Sequence, residues 1–110
     1  MSACDDHAPV PTSPWTDDAF LGAARLFRAL GDPARLRTLE LLASGEQCVS
    51  ALAASSGEGL STVSQRLKLL RAEGLVTPRR DGRHIFYALA DEHVSALITN
   101  ALHHATEARS

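Results

Sequence analysis

Four side chains of metal-ligand type lie near the C-terminus of this 110-residue chain: Asp91 and His93, then His104 and Glu107. Imidazole nitrogen and carboxylate oxygen both bind divalent cations, so each pair is half of a tetrahedral donor set. The segment between them reads as one helix over residues 91–107. Val94, Leu97, Ile98, Ala101, Leu102 and Ala105 form its apolar stripe. On such a helix His104 and Glu107 are i, i+3 neighbours on one face. The eleven residues from His93 to His104 rise about 16 Å, whereas each ligand must come within about 2 Å of a zinc ion. One chain therefore cannot close the site. A second, antiparallel copy of the helix brings His104 and Glu107 of one subunit opposite Asp91 and His93 of the other. The spacing predicts a metal, a homodimer and an intersubunit site together. Two bland features accompany it: Asp91 is placed to cap the helix, and His103 is also close to Glu107, at i, i+4.

The elements that must position these residues follow from periodicity and punctuation. Residues 1–16 hold three of the five prolines and no hydrophobic period, and are expected to be a flexible arm. Residues 17–110 are then expected to form a single folded domain. Phe20, Ala23, Ala24, Phe27 and Leu30 give a first helix over residues 17–30. Asp32-Pro33 opens a second as N-cap and first-turn proline, with Leu36, Leu39, Leu41 and Leu42. Residues 48–55 make a short third helix. After a glycine-bearing turn, a fourth over residues 60–73 puts Leu60, Val63, Leu67 and Leu70 on one face. Ser61, Ser64, Gln65, Lys68 and Arg71 fall on the other. Residues 75–78 and 85–89 read as two strands around Asp81-Gly82, a dipeptide suited to a type I′ turn with positive φ at both central residues. The fold class expected is mainly α (α+β): about five helices plus a two-stranded β-hairpin wing.

Composition sets the outer bounds. The chain has 45% hydrophobic residues but only 5% aromatic ones, which favours a Leu, Ala and Val core on helices. No apolar run spans a membrane and no signal peptide is recognisable, so the expected location is the cytoplasm. Two cysteines are too few for a disulfide scaffold. The net charge of −2 conceals an asymmetry. Residues 60–84 carry six basic side chains against two acidic ones, while residues 1–20 carry four aspartates and no Lys or Arg.

A helix-turn-helix followed at once by a basic hairpin fits duplex DNA. The fourth helix offers Ser61, Thr62, Ser64, Gln65 and Arg66, with Lys68 and Arg71 further along. Gln65 has the geometry to pair with adenine, and Ser or Thr to contact several bases. Arg79, Arg80 and Arg83 at the hairpin suit phosphates. No nucleophile–base pair is evident, and four protein ligands leave zinc no open position for water, so the chain is not expected to be an enzyme.

The runs LFRALGDPARLRTLELL, STVSQRLKLLRAEGLV and RRDGRHIFYAL resemble the ArsR/SmtB family of metal-sensing winged-helix repressors, over residues 19–107. The resemblance implies a homodimer on operator DNA arranged as an imperfect inverted repeat. It implies that the first and last helices form the dimer interface, that the fourth enters the groove, and that inducer binding releases the promoter. Asp91, His93, His104 and Glu107 match the family's last-helix zinc site in residue type and spacing, and this register selects His104 over His103. Two histidines and two carboxylates suit Zn2+, with Co2+ as a substitute. A ligating His104 would donate its other N–H to backbone around Gly74. The family's third-helix position points to a second candidate metal site, Cys4, His7 and Cys48, with the arm of one subunit reaching the other. There Ser50 and Ala51 stand where a second thiolate or carboxylate belongs. The alternative function is a thiol/redox- or soft-metal-sensing repressor of the same fold using Cys4 and Cys48.

Overall fold

The computed structural model describes residues 9–107. The first helix, α1 (Asp17–Leu30), starts because the Thr16 side chain accepts from the Ala19 amide at 3.1 Å. Asp17 and Asp18 also place negative charge at its positive end. Asp32 opens α2 (Pro33–Leu42) in the same way, accepting from the Arg35 amide at 3.0 Å, and Pro33 sits where its missing N–H costs nothing. A short strand, β1 (Gln47–Cys48), precedes α3 (Val49–Ser56), and Gly57 closes that helix at φ +73°. Then come α4 (Leu60–Ala72), the strands β2 (Val76–Asp81) and β3 (His84–Leu89), and α5 (Glu92–Glu107).

The sheet is antiparallel with order β1-β3-β2. Val76 pairs with Leu89 and Asp81 with His84 across the hairpin, while Gln47 and Cys48 pair with Tyr87 and Phe86. The core is aliphatic as expected. Leu39, Leu52, Leu67, Leu70, Leu75 and Ile98 are each at most 2% exposed and join α2, α3, α4 and α5. The architecture is a helix-turn-helix, α3 into α4, followed by a two-stranded wing.

Four local expectations are corrected. Cys48 belongs to β1 and caps α3 rather than starting it, since residues 47–48 gain ladder hydrogen bonds from β3. The wing strands are longer than the apolar pattern implied, because Arg79, Arg80 and Asp81 also pair. The central turn residues are therefore Gly82 and Arg83, and only Gly82 has positive φ, at +63°. That is the single left-handed residue of a type II′ turn, not the two of type I′. Finally, Leu60 does not join the buried face of its helix, being 57% exposed. On α1, Phe20 and Phe27 are also exposed, at 57% and 59%, and Ala29, Leu30 and the half-buried Leu26 are the residues that join the core.

Candidate nucleic-acid interface and metal-ligand pairs

In α4, Val63, Leu67 and Leu70 are buried, so the opposite face is delivered outward by helical geometry alone. Ser61, Thr62, Gln65, Lys68 and Arg71 are exposed and Ser64 is half-buried. Lys68, Arg71, Arg80 and Arg83 make no ion pair among the described residues. These four cations on one helix and one hairpin are available to phosphate.

Arg66 is not. The sequence placed it with the DNA-facing residues, but its side chain is only 11% exposed and turns inward. Its guanidinium meets the Glu58 carboxylate in a two-pronged pair, Nη1–Oε1 2.7 Å and Nη2–Oε2 2.6 Å, and Nη1 also donates to Thr38 Oγ1 at 3.1 Å. The Arg66 contact holds the Glu58 carboxyl below the ordinary glutamate range, and Glu58 pushes the Arg66 pKa up.

Arg79 is also engaged within the chain. It pairs with Glu46, whose pKa it lowers, and lies 4.0 Å from Asp81. Its guanidinium carbon sits 5.0 Å from the centre of the Phe86 ring. The side chain therefore braces the wing against the segment before β1, leaving Arg80 and Arg83 as the exposed cations of the tip. Sequence periodicity does not reveal Glu46 and Thr38, whose partners lie 33 and 28 residues away, nor Glu58, which lies in the turn before α4 and so on no face of that helix.

The metal-type residues occupy the two ends of α5. Asp91 does cap the helix, its Oδ1 accepting from the Val94 amide at 3.0 Å. The same oxygen lies 3.8 Å from Nδ1 of His93, whose side chain is 98% exposed. His104 and Glu107 are exposed in the last turns. Among the described residues no three His, Cys, Asp or Glu side chains gather within one chain to hold an ion. Asp91 and His93 thus come together, while His104 and Glu107 stand apart from them. His103 lines a groove between α2 and α5 with Glu40 and Ala43. His104 makes no hydrogen bond to Gly74 within one chain among the described residues.

Cys4 and His7 lie outside the described residues. Cys48 is half-buried at the start of α3, with Sγ 3.3 Å from Ser50 Oγ. That hydrogen bond, with the Ala51 amide, holds the thiol below its usual pKa and favours the thiolate.

Apolar side chains remain exposed as well. Trp15 just before α1, and Phe20, Leu21 and Phe27 on it, are 69%, 57%, 66% and 59% exposed, and Leu102 on α5 is 41% exposed. Among the described residues no helix is long and apolar enough to cross a membrane.

Comparison with known proteins places this geometry. Residues 32–77 match the model of the bacterial regulatory protein, arsR family. The chain is 45% identical over 84 residues to a transcriptional repressor SmtB homolog of Synechocystis, covering 76% of this chain and 64% of that protein. Its structure resembles the homodimeric winged helix-turn-helix DNA-binding domain of a possible ArsR-family regulator from Mycobacterium bovis. That match has a TM-score of 0.79 and 35% identity, and covers 90% of this chain and 92% of the other. It also resembles an antimony-specific transcriptional repressor, AntR, with a TM-score of 0.78 and 31% identity over 89% of each chain. The family consists of DNA-binding transcriptional regulators rather than enzymes, and this chain belongs to the arsR family of bacterial regulatory proteins.

Proposed function

We propose that the protein is a metal-responsive repressor that binds operator DNA as a homodimer and leaves it when zinc occupies an intersubunit site. The observation that carries the reading is the placement of two ligand pairs, Asp91 with His93 and His104 with Glu107, at opposite ends of one exposed helix. Neither pair can satisfy an ion by itself, and an antiparallel second α5 would complete both sites at once. The exposed apolar residues of α1 and α5 supply a reason for that second copy to bind.

The donor set suits zinc, with cobalt as a substitute: two imidazoles and two carboxylates, a neutral-to-anionic tetrahedral set with no thiolate. A bound ion would supply a fixed link between subunits. The protein's own contribution is to hold Asp91 by its helix cap, beside His93, and to present His93 and His104 to solvent. In the operator complex α4 would read bases through Ser61, Thr62, Ser64 and Gln65. Lys68, Arg71, Arg80 and Arg83 would neutralise phosphates, while Arg79 would support the wing. Half-sites about one helical turn apart then require a defined separation of the two α4 helices, which the α5 contact sets.

The test is operator binding followed by fluorescence anisotropy with and without zinc, in wild type, His104→Gln and a Cys-less protein. The expected wild-type response is a loss of affinity of about 5- to 150-fold on zinc addition. His104→Gln should lose that response and the Cys-less protein should keep it. Release abolished by removing Cys4 and Cys48 instead would favour the thiol-based reading, which the depressed pKa of Cys48 supports.

A further inference from the structure

We infer that Glu58 is a positioning residue for operator recognition: through Arg66 it fixes how α4 stands against α2, and so where Ser61, Thr62 and Gln65 are presented. The inference rests on the operator-binding reading above.

Three observations lead to it. The first is connectivity. The Arg66 guanidinium reaches Glu58 in the turn before α4 and Thr38 on α2, and Thr38 Oγ1 donates onward to the Ala34 carbonyl at 3.1 Å. One planar group therefore joins α2, the turn and the middle of α4. Thr38 is the one buried polar residue among those described, at 3% exposed, so this chain runs into the core. A forked pair fixes direction as well as distance, which a single hydrogen bond does not.

The second is what the start of α4 lacks. Its N-cap is Gly59, with no side-chain cap, and its first residue, Leu60, is 57% exposed. The turn that carries Ser61 and Thr62 is thus held from below mainly by Val63, at 1% exposed, and from the side by the Glu58–Arg66 pair. The helices α1 and α2 have a side-chain cap, whereas α3, like α4, has none.

The third is sign. A carboxylate in the turn just ahead of a DNA-reading helix repels phosphate. Electrostatics alone predicts that removing its charge tightens binding to any duplex. A positioning role predicts the opposite for the correct sequence, because base contacts tolerate only small errors in helix placement.

The experiment uses the full chain and a duplex that the wild-type protein selects from a random-sequence pool, with a scrambled duplex beside it. Affinity is measured across a salt series for wild type, Glu58→Gln, Arg66→Gln and Arg66→Lys, with thermal unfolding of each variant. Glu58→Gln should bind the selected duplex about tenfold more weakly, the equivalent of one lost base contact. It should bind the scrambled duplex as well as wild type or better. Arg66→Gln should keep the wild-type salt slope, because no phosphate contact is lost. Arg66→Lys keeps both charges but not the fork, so it should also weaken selected binding, and it carries the test if Glu58→Gln does not fold. Equal or tighter binding of the selected duplex by Glu58→Gln overturns the inference and leaves the repressor reading standing. So does a slope reduced by about 0.9 in Arg66→Gln, the signature of a direct phosphate contact. A wild-type protein that selects no duplex overturns the repressor reading, and this inference with it.

Discussion

The helix-turn-helix with its wing differs from the apolar residues of α1 and the two ends of α5 in how complete each is within one chain. In the first, polar side chains find partners at long range: Arg66 with Glu58 and Thr38, and Arg79 with Glu46 and Phe86. The exposed polar groups there are mainly hydroxyl, amide and cationic, suited to an anionic surface, although Leu60 and Leu69 of α4 are also exposed. By contrast Trp15, Phe20, Leu21 and Phe27 are exposed, and the candidate ligands stand in two separated pairs at the ends of α5. A reading head whose buried polar side chains are satisfied within the chain is joined to faces that the proposed second copy would complete. Under that proposal the relative placement of two reading heads would be adjustable while each head kept its shape.

The sharpest way to break this comparison is to spoil the incomplete face. Phe27→Asp removes an exposed aromatic, so the monomer fold should survive with a near-wild-type far-UV spectrum. Sedimentation should show a monomer, and operator affinity should fall at least about a hundredfold, since two linked half-site contacts become one. Unchanged dimerisation would mean that α1 is not the face that a second copy covers.

Next in size is a complementation of ligand pairs. Homodimers of His93→Gln and of His104→Gln should each lose zinc binding at this site, by at least about tenfold. Mixing the two proteins should restore one intact site per heterodimer, because the undamaged pair of one chain meets that of the other. Cobalt absorption of the mixture checks this. A site built within one chain would give no restoration.

Smaller effects concern the reading head. Arg80→Ala and Arg83→Ala should each reduce the slope of log affinity against log salt by about 0.9, whereas Arg79→Ala should change it less, through wing placement. The smallest effect is one of pH. Glu46 and Glu58 both have their pKa lowered in the folded state, by Arg79 and Arg66. A group depressed in this way adds stability that is complete above its unfolded value, about 4.3, and that is lost as pH falls through the folded value. Thermal unfolding of Glu46→Gln and Glu58→Gln should therefore differ from wild type at pH 7. The difference should disappear in acid. A gap that persisted at low pH would mean that these carboxylates act through packing rather than charge.

By itself the sequence determined the element order, because Asp32-Pro33, Gly57 and Asp81-Gly82 punctuate runs of aliphatic residues at helical or alternating spacing. Local periodicity also placed Val63, Leu67 and Leu70 inside and Ser61, Thr62 and Gln65 outside. It set His93 about 16 Å along the helix from His104, with Asp91 and Glu107 farther apart still, since helical rise is a fixed property of the backbone. Tertiary structure alone decided the rest. β1 is two residues long and exists only because β3 lies beside it, so no local propensity announces it. The turn register followed from which backbone groups pair across the hairpin, and this moved the positive φ to Gly82 alone. Arg66 looked like its basic neighbours until packing brought Glu58 and Thr38 to it from elsewhere in the chain. A charge is local information. Whether that charge faces solvent or a partner depends on residues the chain brings back from a distance, and only the folded structure supplies them.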